Sequence, residues 1–313
     1  MRSDLERLAG KTVLVTGSDG MLGRAFTETL DTLGFQCQIE ALTRERLDVT
    51  DQNAVLSCSS MQPDYIVHCA ALVDADACER EPLTCRPSHV DGTLNMARLA
   101  SETGARVLYP QSFLIFDGRD LPVTERTPPA PLSAYGRFKL EAEQGLVALL
   151  PDTLVVRMGG FFGGDEKDKN FVGKFTRSLV GLLAGGVRRH DVGDRVWQPS
   201  YTMDLAQNCL LLLARGESGV YNMAAKGEAA FHEVAAACVE MLGLSDDIAI
   251  DACSASVLAM REEARRPRRV VLANARLERE GLDRQRDWRD GLREYLARPY
   301  FERLFHGVRQ ARR

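Results

Sequence analysis

Tyr135 and Lys139 stand four residues apart in Tyr135-Gly136-Arg137-Phe138-Lys139, a stretch that reads as the start of a helix, so both project from one helix face. An ammonium beside a phenol favours the phenolate. The spacing therefore predicts a lowered Tyr135 pKa and a side chain that passes its proton to a carbonyl near neutral pH, although Tyr and Lys at this separation also occur on plain helix surfaces. Ser112 follows a strand at Arg106 to Tyr109, at whose carboxyl end a hydroxyl would face a ligand crevice and orient a carbonyl oxygen beside Tyr135. A turn serine is the plainer alternative.

A second kind of chemistry is written in Thr16-Gly17-Ser18-Asp19-Gly20-Met21-Leu22-Gly23, a G-x-x-G-x-x-G run between an apolar strand and a helix. Glycines there permit a sharp turn, the approach of backbone N–H groups to a pyrophosphate and close packing of helix on strand, and the helix N-terminus adds its positive dipole. The run predicts dinucleotide binding at Gly17, Asp19, Gly20, Met21, Leu22 and Gly23, against the bland reading of a structural turn. After the second strand, where an acid would take the ribose hydroxyls, the chain has Thr43 and Arg44. A cation with no carboxylate beside it favours a 2′-phosphate, so NADP(H) is preferred, with NAD(H) possible and a merely solvated Arg44 as the alternative. Asp48 and Val49 fall where an adenine edge would lie, though Asp48 could instead cap the following helix.

These residues need a frame. Strands at Thr12–Thr16, Gln38–Leu42, Tyr65–Cys69, Arg106–Tyr109 and Thr153–Arg157 are separated by segments long enough for helices, the first at Met21–Leu33, and Asp117–Pro131 reads as a loop. The alternation predicts an α/β fold, a doubly wound parallel sheet of Rossmann type. After Arg157 the texture changes at Gly159 to Gly164. Helices at Phe171–Leu183, Met203–Ala214, Phe231–Leu242 and Trp288–Leu296, with strands at Val220–Met223 and Ile248–Ile250, predict a smaller α+β lobe. The expected division is a dinucleotide domain over 1–158 and a substrate lobe over 159–313, with roughly 187–216 returning to the first domain. Asp165 to Lys169 reads as a solvated loop over the cleft, with Lys167 or Lys169 meeting a diphosphate as the sharper alternative. His68 reads as a satisfied structural residue.

Composition excludes several classes. The 313 residues are 45% hydrophobic and 27% charged, with 40 basic against 44 acidic groups, as in ordinary globular proteins. No basic footprint suggests nucleic acid, and the tail arginines 309, 312 and 313 read as solvated. The longest apolar run, Cys209–Ala214, falls far short of the roughly 20 residues that cross a bilayer. With no secretory signal in Met1–Lys11, a cytoplasmic protein is expected. Eight cysteines without a Cys-x-x-Cys pair read as free thiols, and five histidines without ligand spacing give no metal site.

Glycine turn, Ser112, Tyr135 and Lys139, in that order, resemble the extended short-chain dehydrogenase/reductases, and within them the dTDP-4-dehydrorhamnose reductase family. Further matching stretches are His68-Cys69-Ala70-Ala71, Phe116-Asp117-Gly118, Pro131 to Glu143, Arg157, Pro199 to Ala206, Arg266-Pro267 and Leu272-Ala273-Asn274. The resemblance implies NAD(P)H-dependent reduction of a 4-keto sugar nucleotide in nucleotide-sugar biosynthesis, with Ser112, Tyr135 and Lys139 catalytic and Ala70, Ala71 and Leu72 at the cofactor. It departs where the family has Ser-Thr-Asp-Tyr-Val-Phe-Asp-Gly and this chain has Gln111-Ser112-Phe113-Leu114-Ile115-Phe116-Asp117-Gly118. A family tryptophan falls on Gly160 and a threonine on Val73. Val73, Ser112, Phe113, Leu114, Gly160, Phe161, Trp197 and Gln198 are the expected substrate side. Phe113 and Leu114 cannot serve as the extra acid of a dehydratase. An epimerase, or a non-catalytic NADP-binding subunit like the regulatory beta subunit of methionine adenosyltransferase, remain the rival readings, and a homodimer is possible.

Overall fold

The computed structural model describes residues 2–34, 36–254 and 262–310. Five parallel strands, β1 (Thr12–Thr16), β2 (Gln38–Leu42), β3 (Tyr65–His68), β4 (Arg106–Ser112) and β5 (Leu154–Met158), are joined by a sixth, β6 (Gly219–Met223), in the order β6-β5-β4-β3-β1-β2. The longer helices are α1 (Met21–Leu33), α2 (Pro82–Thr103), α3 (Ala134–Leu149), α4 (Phe171–Ala184), α5 (Thr202–Arg215), α6 (Phe231–Met241) and α7 (Trp288–Leu296).

The central strands β1, β3 and β5 are largely apolar because both sheet faces are covered, whereas the edge strand β2 carries Gln38 and Glu40. Val13 and Val15 point into one layer, with Phe26 and Leu30 of α1 and Leu205 and Leu213 of α5. Leu14 points into the other, with Met96 and Leu99 of α2 and Ala142 and Leu146 of α3. A second core gathers α4, α6 and α7 around Phe175, Val234 and Trp288, beside a parallel strand pair at Arg189–Gly193 and Ala249–Cys253.

Two local outcomes differ from the sequence pattern. β4 runs on to Ser112, because Pro110, Gln111 and Ser112 pair with Val156, Arg157 and Met158 despite the proline's missing donor. The 22-residue α2 carries Pro87 inside it and a mixed face, so apolar periodicity does not announce it. The side chain of Arg309, and all of Arg312 and Arg313, lie outside the described residues. Among the described residues, no helix is long and apolar enough to cross a membrane, and no cluster could hold a metal ion.

A buried ion pair locks α3 to the sheet: Arg157 Nη2 on β5 meets Glu143 Oε1 at 2.6 Å, with side chains 7% and 6% exposed. Replacing Arg157 with Met should leave that carboxylate buried and unpaired, costing about 3–5 kcal/mol. Urea unfolding checks this; a loss under about 1 kcal/mol would show that the pair carries no such burden.

Candidate functional site

The chain order reverses between β1 and β3, and the crevice outside their carboxyl ends is where such sheets hold ligands. Gly17 sits there with φ 61°, and a Cβ on it would lie 2.8 Å from the backbone nitrogen of Ala70. A Cβ on Gly23 would lie 2.2 Å from the carbonyl oxygen of Gly17. Only bare backbone fits, so strand, turn and helix close into the cradle expected for a pyrophosphate at a helix N-terminus. Thr16 Oγ1 braces it, accepting from the Ala70 N–H at 3.2 Å and sharing a hydrogen bond with His68 Nδ1 at 2.9 Å. His68 Nε2 pairs with Thr93 Oγ1 at 3.2 Å, and burial pushes the His68 pKa down to about 3, so it stays neutral.

The cradle opens into a cleft of about 430 Å³. Arg44, Asp48 and Val49 line one end. Thr50 donates to Asp48 through its N–H at 2.9 Å and its hydroxyl at 2.7 Å, which holds the Asp48 carboxyl below its ordinary range. The cap of the next helix is Asp51, not Asp48.

At the other end, α3 is started by Ser133, whose hydroxyl accepts from the Gly136 N–H. A Cβ on Gly136 would meet the Leu114 carbonyl oxygen at 2.4 Å, so the helix enters hard against the turn after Ser112. That contact brings the expected trio together. Ser112, Tyr135 and Lys139 line the same cleft.

The protonation states reverse the expectation from spacing. Burial pushes Tyr135 up to about 12, against a smaller lowering by Ser112, and pushes Lys139 down to about 7, against a raising by Glu143. Lys139 Nζ donates to the Pro110 carbonyl at 2.8 Å and sits 3.9 Å from the centre of the Tyr109 ring. The Lys139 head group is engaged there, and desolvation sets the direction of the phenol's shift.

Ala70, Ala71 and Leu72 line the cleft beside the cradle, and Val73, Phe113, Leu114, Gly160 and Phe161 form the wall beyond Ser112. Trp197 and Gln198 are not brought to it. Gln198 is buried, accepting from the Leu272 N–H at 2.6 Å and donating to the Leu272 carbonyl at 3.1 Å. Trp197 packs behind Gly160, where an added Cβ would meet its ring at 2.4 Å. The loop at Asp165 to Lys169 is less solvated than its charges suggest. Asp168 is fully buried, its Oδ2 accepting from the Gly163 N–H at 3.1 Å and from the Tyr295 hydroxyl at 3.2 Å, and burial raises it to about 6. Asp165 pairs with Arg298 at 3.0 Å. Pro110, Ser88 and Asn170 also line the cleft; nothing in their local sequence signals it.

The depressed Lys139 pKa has a measurable sign. The native chain gives up this proton near pH 7 while the unfolded chain keeps it to 10.5. The stability of the parent relative to Lys139→Met should therefore rise by about 1.4 kcal/mol per pH unit across that window and be flat below it. Urea unfolding at several pH values reads the slope; a constant difference from pH 6 to 10 would show an ammonium that remains charged.

The RmlD substrate binding domain matches residues 11–301. A dTDP-4-dehydrorhamnose reductase of Streptomyces griseus is 32% identical over 289 residues, covering 90% of this chain and 91% of the relative. Methionine adenosyltransferase 2 subunit beta of Pongo abelii is 28% identical, covering 92% of this chain and 88% of that one. Among solved structures, a dTDP-4-dehydrorhamnose reductase of Clostridium acetobutylicum superposes with a TM-score of 0.83 at 28% identity, over 91% of this chain and 98% of its own. The chain belongs to the RmlD substrate binding domain family, that of the dTDP-4-dehydrorhamnose reductases.

Proposed function

We propose that this protein reduces a 4-keto sugar nucleotide with NADPH. The observation that carries the reading is one continuous cleft with a bare glycine cradle at one end and Ser112, Tyr135 and Lys139 together at the other. The cradle fits a dinucleotide, since side-chain atoms at Gly17 or Gly23 would collide with backbone. Arg44, exposed at the adenosine end, suits a 2′-phosphate.

When bound, the reduced nicotinamide supplies the hydride that the carbonyl carbon receives. Ser112 orients the carbonyl oxygen. Tyr135, a neutral phenol at physiological pH, gives that oxygen its proton. Lys139, poised near pH 7, is the adjacent group able to return a proton to the phenolate. Gly17, Asp19, Gly20, Met21, Leu22 and Gly23, with Ala70, Ala71 and Leu72, would line the dinucleotide, and Asp48 and Val49 its adenine. The methionine adenosyltransferase subunit among the relatives favours a second reading, nucleotide binding without turnover. The assembled trio weighs against it.

Tyr135→Phe should lower kcat by about 10²–10⁴ while NADPH still binds. Full turnover of a 4-keto sugar nucleotide by this variant would remove Tyr135 as donor, and tight NADPH binding by the parent without turnover would favour the second reading. Arg44→Ala should weaken NADPH roughly 10–100-fold and leave NADH nearly unchanged, because a charge-assisted contact to the 2′-phosphate is lost. Calorimetric titration of both dinucleotides separates this from general damage to the site, which would weaken both.

A further inference from the structure

The wall beyond Ser112 and Tyr135 is apolar to a degree that ketone reduction does not require. Val73, Phe113, Leu114, Gly160 and Phe161 form it. Of the polar side chains that line the cleft, Gln111 is fully committed, Asn170 and Ser88 are each engaged through one donor, and Lys167 and Lys169 come from the loop on the cradle side. Gln111 Oε1 accepts from the Ser112 N–H at 2.8 Å, and its Nε2 donates to the Lys139 carbonyl at 2.9 Å and to Glu143 Oε2 at 2.6 Å. Asn170 Nδ2 donates to the Phe161 carbonyl at 2.8 Å, and Ser88 Oγ to the Cys85 carbonyl at 2.9 Å.

The loop that carries Lys167 and Lys169 rests on α1, near the glycine cradle. The Lys169 N–H donates to Met21 Sδ at 3.4 Å, and Glu166 pairs with Arg24 at 2.6 Å. Behind Gly160 there is no space for a polar group. A Cβ there would lie 2.4 Å from the Trp197 ring and 3.4 Å from that of Phe113. Ser112 and Tyr135 thus have partners to offer the ketone, and the side chains of Phe113 and Leu114 have none for a ring hydroxyl that lies against them.

We propose that the preferred substrate is a keto-sugar nucleotide deoxygenated at the ring carbons that lie against this wall, with Phe113 and Leu114 as the specificity-determining residues; this rests on the reductase reading above. A hydroxyl pressed against these side chains forfeits its hydrogen bonds to water without replacement, whereas a methylene gains contact. The discrimination is bounded, because an apolar pocket rejects an added hydroxyl by only about 10².

The test compares NADPH oxidation by the purified chain on a dTDP-4-keto-6-deoxyhexose bearing hydroxyls at C2 and C3 and on its 2,3-dideoxygenated counterpart. The deoxygenated sugar should be favoured in kcat/KM, roughly 10–100-fold. The corresponding alcohols, titrated by calorimetry with the oxidised dinucleotide present, should show the same order. Phe113→Asn and Leu114→Gln should each shrink the kcat/KM ratio by about threefold or more, by restoring a partner for the hydroxyl. A preference below about fivefold in the parent overturns the proposal and leaves the reductase reading intact, since the magnitude expected of an unpaired hydroxyl is then absent. An unchanged ratio in variants that melt like the parent overturns the role of these two residues. Failure to oxidise NADPH with either sugar overturns the reductase reading and the proposal together. If a variant fails to fold, the ratio measured on the parent decides.

Discussion

The buried carboxylate of Glu143 is the constraint on which the reactive end depends. It lies on α3, receives Arg157 from β5 and Gln111 from β4, and so joins three elements at one point. Removing such a charge from water is costly unless its partners are fixed, so the surrounding groups are held to a narrow geometry. Gln111 passes that order on. Its two ends hold the Ser112 N–H and the Lys139 carbonyl, one residue type linking the strand end to the helix that carries the phenol. Tyr135, Ser112 and Lys139 are thereby placed by a network whose other members, Glu143 and Arg157, lie behind them.

Dryness sets the character of the centre. The same burial that keeps the phenol protonated keeps the lysine close to neutrality, so both groups sit in the form that can give or accept a proton without a water shell to reorganise. Phe113, Leu114 and Phe161 add apolar surface to the same cleft.

How much of this could be read in advance depends on where the cause resides. β1, the glycine turn and α1 were legible because their causes are local: an apolar run, Gly17 and Gly23 where backbone contact requires glycine, and a stripe of Leu22, Phe26 and Leu30. Ser112, Tyr135 and Lys139 were legible through their order along the chain. The protonation states were not, since desolvation is a tertiary property and spacing gives only the neighbour's charge. α2 was obscured by Pro87 and by buried His89 and Asn95, which break the apolar period. Trp197, expected on the substrate side with packing as the commoner explanation, does pack: its partners, Phe171 and Phe231, come from distant helix starts.

The placement of β6 has its own consequence. It completes the sheet beside β5, pairing Gly219 with Leu154, yet about 60 residues of the chain lie between the two strands. During synthesis from the ribosome, the open edge of β5 must wait for that intervening stretch to emerge before its backbone is satisfied. Parallel pairing at such separation is slow to close, so the nascent chain carries an adhesive edge for the length of that delay.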